Sequence, residues 1–352
     1  MNKIIQNTLF YVVVFCVTYF IYVYPIEILN KLLFNELVNR RISFYYTIII
    51  SILIIFYFRS FESLKPLRFL IFEGMGIGFI SFWVVSIFYF LSFFMSDYSY
   101  FLGLISLFVI IILSLISFYY GSKIFTKELN INSYKLKKNH SFIFMSDIHL
   151  GSNKKKHLVK IISKIKMFEF DFILLGGDLI DSSKADFNSL KIFKQFNCPI
   201  YFVTGNHEYY IKNSNDFIKN LNQYNIQHIS NNSKFLDDIN LICVDDNLSN
   251  DKQIEIVNKN IKKENFNLLL IHKPSIWLNI RDKIDLMLSG HTHNGQIFPF
   301  NLFVRLQFKF KYNLYNYNNS NLYVSSGSGP WGPKMRLGTF NEIILFNLSP
   351  NE

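Results

Sequence analysis

The chain has 352 residues, half of them apolar, and a formal net charge of +11. That length accommodates two domains. Its three cysteines, Cys16, Cys198 and Cys243, lie far apart, which excludes the paired spacings of a zinc ribbon or a dithiol redox motif and leaves them as reduced packing residues.

The first third is almost continuous Ile, Leu, Val, Phe and Tyr. Four stretches in it are uncharged enough and long enough to cross a bilayer, for which about 20 apolar residues are needed. They run over Thr8 to Leu29, Ile42 to Phe58, Phe69 to Met95 and Tyr100 to Tyr120. No small-residue cleavage site follows the first stretch and three more spans come after it, which argues against a signal peptide. The third span carries a single acid, Glu73. It has two readings, a functional intramembrane acid or a residue at the interface facing water.

Lysine and arginine set the topology. Lys3, then Arg59, Lys65 and Arg68, then Lys123, Lys127, Lys135, Lys137 and Lys138 share one side. The other side carries Lys31, Arg40 and Arg41, partly offset by Glu27 and Glu36. The bias predicts both termini in the cytoplasm, with a four-helix, all-α transmembrane domain over 1–121, a basic juxtamembrane linker over 122–138 and a soluble domain over 139–352. The juxtamembrane lysines suit anionic lipid headgroups, a solvated lysine-rich surface being the alternative, and no nucleic-acid partner is expected.

From Ser141 onward short apolar runs alternate with helical segments. "SFIFMS", "FDFILLGG" and "PIYFVTG" read as strands, and "KKHLVKIISKIKMF", "FNSLKIFKQF" and "NDFIKNLNQY" as helices. "NLICVDD", "NLLLIH", "IDLMLSG", "NLYVSSG" and "NEIILFNL" add strands, and the Asn/Tyr run 313–323 reads as a polar loop leading into one. Alternation followed by strand-rich sequence predicts an α/β domain of stacked sheets flanked by helices.

Chemistry sits at the ends of these strands. "SDIHLG" places Asp147 and His149 at i and i+2, on one face of an extended chain. "GGDLIDSS" supplies Asp178 and Asp181, "TGNHEYY" supplies Asn206 and His207, "LLLIHKP" ends in His272, and "SGHTHNGQ" carries His291 and His293. Singly, each has a bland reading: Asp178 or Asp181 as a helix cap, Asn206 as a turn residue, a histidine as a satisfied polar group. Together they form a mixed imidazole and carboxylate set suited to transition metals. Asp147, His149, Asp178, Asn206, His272, His291 and His293 are too many for one tetrahedral ion and match two ions sharing a bridge. Asp178 is the natural bridge, because a carboxylate has two oxygens and the glycines before it permit close backbone approach.

In this order, Asp147-x-His149, Gly177-Asp178-x-x-Asp181, Gly205-Asn206-His207-Glu208, His272 and Gly290-His291-x-His293 resemble the calcineurin-like metallophosphoesterase superfamily. The likeness runs from about Asn139 to about Leu348. "SSGSGPWGPKMRLGTFNEI" and "GHTHNGQ" are similar to a membrane-associated bacterial branch that includes UDP-2,3-diacylglucosamine hydrolases, with Asn294 where that branch has a second glycine. The resemblance implies a two-sheet, four-layer αββα sandwich, which the charge bias places on the cytoplasmic face of a bacterial inner membrane. It implies two divalent ions (Mn, Zn or Fe), one held by Asp147, His149, Asp178 and His293 and the other by Asp178, Asn206, His272 and His291. His207, beside a ligand and not needed as one, is then the general acid. Asp181 is expected to fix its tautomer and raise its pKa. Glu208 is expected to brace the loop.

The phosphate-gripping arginines of protein phosphatases are missing from these flanks. The spans, the basic rim and the aromatic, basic stretch "FVRLQFKFKY" favour a phosphorylated lipid or nucleotide-lipid over other phosphorylated small molecules, with Arg305 and Arg336 as phosphate contacts and Trp331 as a pocket wall. An exposed edge strand is the bland reading of that stretch. Two other functions stay open: a phosphodiesterase for soluble cyclic nucleotides, and a non-catalytic membrane sensor or scaffold.

Overall fold

The computed structural model describes residues 3–61 and 65–351. The chain divides into two compact units, Met1–Tyr119 with Gly332–Met335, and Tyr120–Trp331 with Arg336–Glu352.

The first unit is helical: α1 (Lys3–Thr18), α2 (Tyr24–Phe34), α3 (Arg40–Phe56) and α4 (Lys65–Ser92), with α5 (Ser99–Ser122) running into the second unit. Among the described residues four helical segments are long and apolar enough to cross a membrane, Ile5–Phe34, Arg40–Arg59, Leu67–Ser92 and Ser96–Ser122, each overlapping its sequence expectation. The first joins α1 and α2 through a π-helical turn at Tyr19–Val23. Pro25 follows directly; it lacks an N–H and its ring crowds the preceding turn, which accounts for the widened turn there. Helices approach closely where side chains are small: a Cβ on Gly78 would collide with the Ile21 carbonyl. Ser43, Thr47 and Ser51, spaced four apart, form a buried stripe along α3. Glu73 is 7% exposed, so its water-facing reading fails.

The second unit contains two six-stranded sheets. One has the order β1 (Ile124–Ser133), β12 (Asn341–Pro350), β2 (His140–Met145), β3 (Phe172–Gly176), β4 (Ile200–Val203), β5 (Gln227–His228). The other has the order β10 (Asn313–Tyr317), β11 (Ser320–Val324), β9 (Leu286–Ser289), β8 (Phe266–Ile271), β7 (Ile239–Val244), β6 (Asn232–Leu236).

Strand alternation explains the layers. Phe142 and Phe144 of β2 enter the core between the sheets, with Phe172 and Leu174 of β3 and Leu268 and Leu270 of β8. Ile143, Met145, Ile173 and Leu175 point the other way, to an outer core shared with α6 (Lys155–Ile165) and α7 (Ser214–Lys219). Leu269 and Ile271 meet α8 (Asn250–Asn260) and α9 (Trp277–Ile280) on the opposite outer face. Burial on both faces makes these strands read as unbroken apolar runs. Each such side chain contributes roughly 1.5–3 kcal/mol on burial. The result is the expected αββα order of layers. Strands β2, β3 and β4 are mutually parallel, as are β7, β8, β9 and β11, so the loops after their carboxyl ends gather along one edge.

Five local expectations differ. Most of the segment 122–138, expected as a linker, is the edge strand β1, paired over its whole length with β12. "FNSLKIFKQF" forms 3-10 turns over Phe187–Gln195, and "NDFIKNLNQY" a six-residue α7 followed by another such turn. The Asn/Tyr run is a hairpin, β10 pairing antiparallel with β11. "FVRLQF" lies on a helix, α10 (Phe300–Gln307), and not on an edge strand.

Candidate metal centre

The loops after β2, β3, β4, β8 and β9 deliver all seven expected ligand types to one place. Backbone bonds lock them together: Asp147 N donates to Gly177 O at 3.0 Å, His149 N to Asp178 O at 2.9 Å and Gly290 N to His272 O at 2.9 Å. The fit is tight enough that Asp147, His149, Asp178, His291 and His293 all take positive φ, between 48° and 70°. Left-handed backbone at non-glycine residues is costly and persists where the surroundings enforce it. Asn294, also at positive φ, is the non-glycine residue type that tolerates it best. Gly205 has no such freedom to change, since a Cβ there would collide with the Asp178 carboxylate.

Two donor groups face each other. In the first, His293 Nε2 lies 3.1 Å from His149 Nε2 and 3.5 Å from Asp147 Oδ1. In the second, His272 Nε2 lies 3.2 Å from both Asp178 Oδ2 and His291 Nδ1. Asp178 Oδ2 is also 3.8 Å from His149 Nε2, so its carboxylate stands between the two groups. His272 Nδ1 faces the Gly176 carbonyl at 2.8 Å, and His149 Nδ1 faces Asp181 Oδ2 at 3.5 Å. The first contact is a hydrogen bond that holds the His272 ring proton outward and aims its Nε2 lone pair inward; the Asp181 carboxylate stands on the same outward side of His149, at ion-pair distance. The Asn206 Oδ1 is buried with no hydrogen-bond partner in the protein. An orphaned carbonyl oxygen among converging imidazoles and carboxylates fits a cation.

The electrostatics match that arrangement. Burial resists ionisation of Asp178, but His272 beside it holds its carboxyl well below the usual range. His272 is pushed up to about 10 by Asp178 against its own burial. Burial and then His272 drive His291 down to about 2. Burial raises Asp147, opposed by His272.

Residues 140–295 match the model of the calcineurin-like phosphoesterase family. That stretch of the chain is similar to a calcineurin-like phosphoesterase domain. An uncharacterized metallophosphoesterase of Helicobacter pylori is 34% identical over 242 residues, 64% of this chain and 64% of the relative. One from Campylobacter jejuni is 33% identical over 235 residues, 63% of this chain and 62% of its own. A Bos taurus transmembrane protein with metallophosphoesterase domain is 31% identical over 226 residues, 57% of this chain and 51% of its own. The chain thus spans less than two thirds of the length of these relatives.

Around this centre the expected places of Asp181, Arg336 and Arg305 change. Asp181, expected against His207, instead faces His149 and accepts Ser152 N at 2.8 Å, because the path of the loop after β2 brings Ser152 and His149 onto its carboxylate. His207 is not raised, since burial outweighs the pull of Asp178 and Asp181. Burial lowers its pKa to about 4, with Asp178 opposing. Its backbone N donates to Asp178 Oδ1 at 2.9 Å and its ring stands 5.4 Å from that of Trp331.

Arg336 is fully buried and no phosphate can reach it. Its Nε donates to Asn341 Oδ1, one terminal nitrogen to the His293 carbonyl at 2.9 Å, and the other to the Ser326 and Gly329 carbonyls. Arg305 is exposed on α10, outside the ligand cluster. Glu208 braces as expected: fully buried, it accepts Asp178 N, Ile180 N and Gly205 N. Sequence reasoning missed the 325–329 loop, where Ser328 N donates to Ser146 O and Gly329 N to Asp147 O. Its signal was the glycine spacing in "SSGSG", which lets backbone lie against Asp147.

Proposed function

We propose that the protein is a membrane-anchored, two-metal phosphohydrolase that cleaves a phosphoester or pyrophosphate bond of a lipid or nucleotide-lipid. One observation carries the reading: two donor groups, Asp147, His149 and His293, and Asp178, His272 and His291, meet across a shared Asp178. Asp147, His149, Asp178 and His293 would hold one ion, and Asp178, Asn206, His272 and His291 the other. When bound, such a pair supplies Lewis acidity toward phosphoryl oxygens and brings the ionisation of a water near neutral pH.

The remaining steps belong to the chain. His207 gives the leaving oxygen its proton from Nε2, which lies 3.9 Å from Asp178 Oδ2. Burial keeps its imidazole neutral until a phosphate anion arrives and favours the cation. Trp331 limits water at that face, and Asp181 and Arg336 hold His149 and His293 in place. The four apolar helices and the lysines following the last of them support a cytoplasmic catalytic domain and an amphiphilic substrate.

The test is metal content per chain and hydrolysis of bis-nitrophenyl phosphate by purified full-length protein, beside His207→Ala and Asp178→Asn. Two metals, with activity lost in His207→Ala while metal is kept, are expected. No metal and no hydrolysis after adding manganese or zinc overturns the reading. The lipid part is tested separately: detergent-dispersed lipid pyrophosphate is cut faster than a soluble nitrophenyl ester, and equal rates sink it.

A further inference from the structure

Soluble surfaces scatter their exposed apolar side chains. In the second unit they are concentrated. Between residues 298 and 306 stand Phe298 at 51% exposure, Leu302 at 56% and Leu306 at 86%, with Phe300 and Phe303 also exposed. Leu302 and Leu306 are four apart on α10, hence on one face.

This face continues in two directions. Toward the metal centre, Gln296 and Trp331 exchange two side-chain to backbone hydrogen bonds of 2.9 Å, and Trp331 stacks edgewise on His207. Tyr210, also exposed, stands 5.4 Å from the His207 ring. Toward α5, Phe298 N donates to Leu337 O, and Phe340 packs on Phe125 and on Tyr120 at the end of that helix. Asn341 Nδ2 donates to Gly121 O, fixing that end of the helix to β12. One apolar belt therefore runs from the mouth of the centre, along α10, to the last residues of the final apolar span.

The belt is edged with cations. Arg305 and Lys309 are exposed beside α10. Exposed Lys154, Lys155 and Lys156 follow Asn153, whose side chain donates to the Pro330 carbonyl next to Trp331. An apolar face rimmed by Lys and Arg, with aromatic residues at its border, is the composition of elements that lie in the headgroup layer of an anionic leaflet.

We propose that α10, with Phe298 and Trp331, lies in the interfacial layer of an anionic bilayer and holds the mouth of the metal centre there. The substrate class that fits is a phosphoester whose apolar part stays in the leaflet while its phosphate reaches His207. This deepens the reading above and rests on it for the chemistry, but not for the membrane contact.

The experiment uses full-length protein in vesicles of phosphatidylglycerol and phosphatidylethanolamine containing phosphatidylglycerol with a diazirine on its acyl chain. After irradiation, labelled peptides are mapped by mass spectrometry. Label is expected on residues 298–307 and at Trp331 as well as on the spans; spans labelled with 298–307 bare overturns the proposal, as does absence of label from the spans. A Leu302→Asp, Leu306→Asp double variant is expected to lose label from 298–307 several-fold with the spans unchanged, and undiminished label refutes the role of that face. Equal labelling of 298–307 in phosphatidylcholine vesicles overturns the choice of an anionic leaflet. Hydrolysis of bis-nitrophenyl phosphate by the same wild-type vesicles separates the two readings. Labelled α10 without hydrolysis sinks the enzyme alone, and hydrolysis with α10 bare sinks the docking alone.

Discussion

Glu208 offers the sharpest test of how the centre is held. Its Oε2 accepts Asp178 N at 3.0 Å and Gly205 N at 2.7 Å, and its Oε1 accepts Ile180 N at 3.0 Å. Glu208→Gln keeps an oxygen for the first pair and turns an amide N–H toward Ile180 N. One buried donor is then unsatisfied, at a cost of about 1–3 kcal/mol. Glu208→Ala orphans all three, and because such losses do not sum fully, about 4–5 kcal/mol is expected. At about 2–4 °C per kcal/mol for a domain of this size, melting falls by about 2–12 °C for Gln and roughly 8–20 °C for Ala. The assay is thermal unfolding of the full-length protein in detergent at fixed manganese, followed by near-ultraviolet circular dichroism. An alanine variant within about 2 °C of wild type, or a glutamine variant melting below alanine, refutes the three-donor account.

Asp181→Asn is expected to weaken metal binding about 10–100-fold through His149. At saturating metal its pH–rate profile keeps the wild-type shape; a shifted acid limb would return Asp181 to His207. Arg336→Lys is expected to lower both metal content and melting temperature, because one ammonium cannot reach the four acceptors that the guanidinium serves. Wild-type values for both would refute this. Asp245 accepts from Thr204, His228 and Ser230, and despite its burial the His228 contact holds its pKa below the usual carboxylate range. Its ionised form therefore stabilises the fold above about pH 4, and that stabilisation is lost as acid titrates the folded carboxylate. The melting difference between wild type and Asp245→Asn should shrink from pH 7 to pH 3, and a widening difference contradicts the assignment.

Much of this was readable from residues because strands buried on both faces print as unbroken apolar runs, and polar side chains directly after them stand out. The ligand types at Asp147, His149, Asp178, Asn206, His272, His291 and His293 were visible for that reason. Partnership was not. The D-x-x-D spacing is compatible with Asp181 facing either His149 or His207, and only the path of the β2 loop decides. Arg336 reads as an exposed phosphate contact because burial of a cation depends on carbonyls far away in sequence, at Ser326 and Gly329. Strand β1 reads as a linker because most of "IFTKELNINS" is polar and exposed or half-exposed, as befits a sheet edge; its alternation runs only over Lys127–Ser133 and carries just two apolar residues, Leu129 and Ile131, on the inner side. The helical period of "FNSLKIFKQF" is close enough to a three-residue one that Leu190 and Phe193 bury equally well in 3-10 turns.

The pairing of β12 between β1 and β2 bears on the order in which the molecule is made. Asn130 and Asn347, side by side across that pairing, are 217 residues apart in sequence. During synthesis β1 leaves the ribosome long before the strand that will hold it, and β2 meanwhile presents a bare edge of unpaired amides. Contacts of such separation form late, after the intervening loop entropy has been overcome. Until then a nascent chain carries an open sheet, which is the state that invites mispairing with a neighbour. Because Arg336 and the 325–329 loop immediately precede β12, the last support of His293 arrives in the same step that closes the sheet. The centre is therefore completed only when the sheet is.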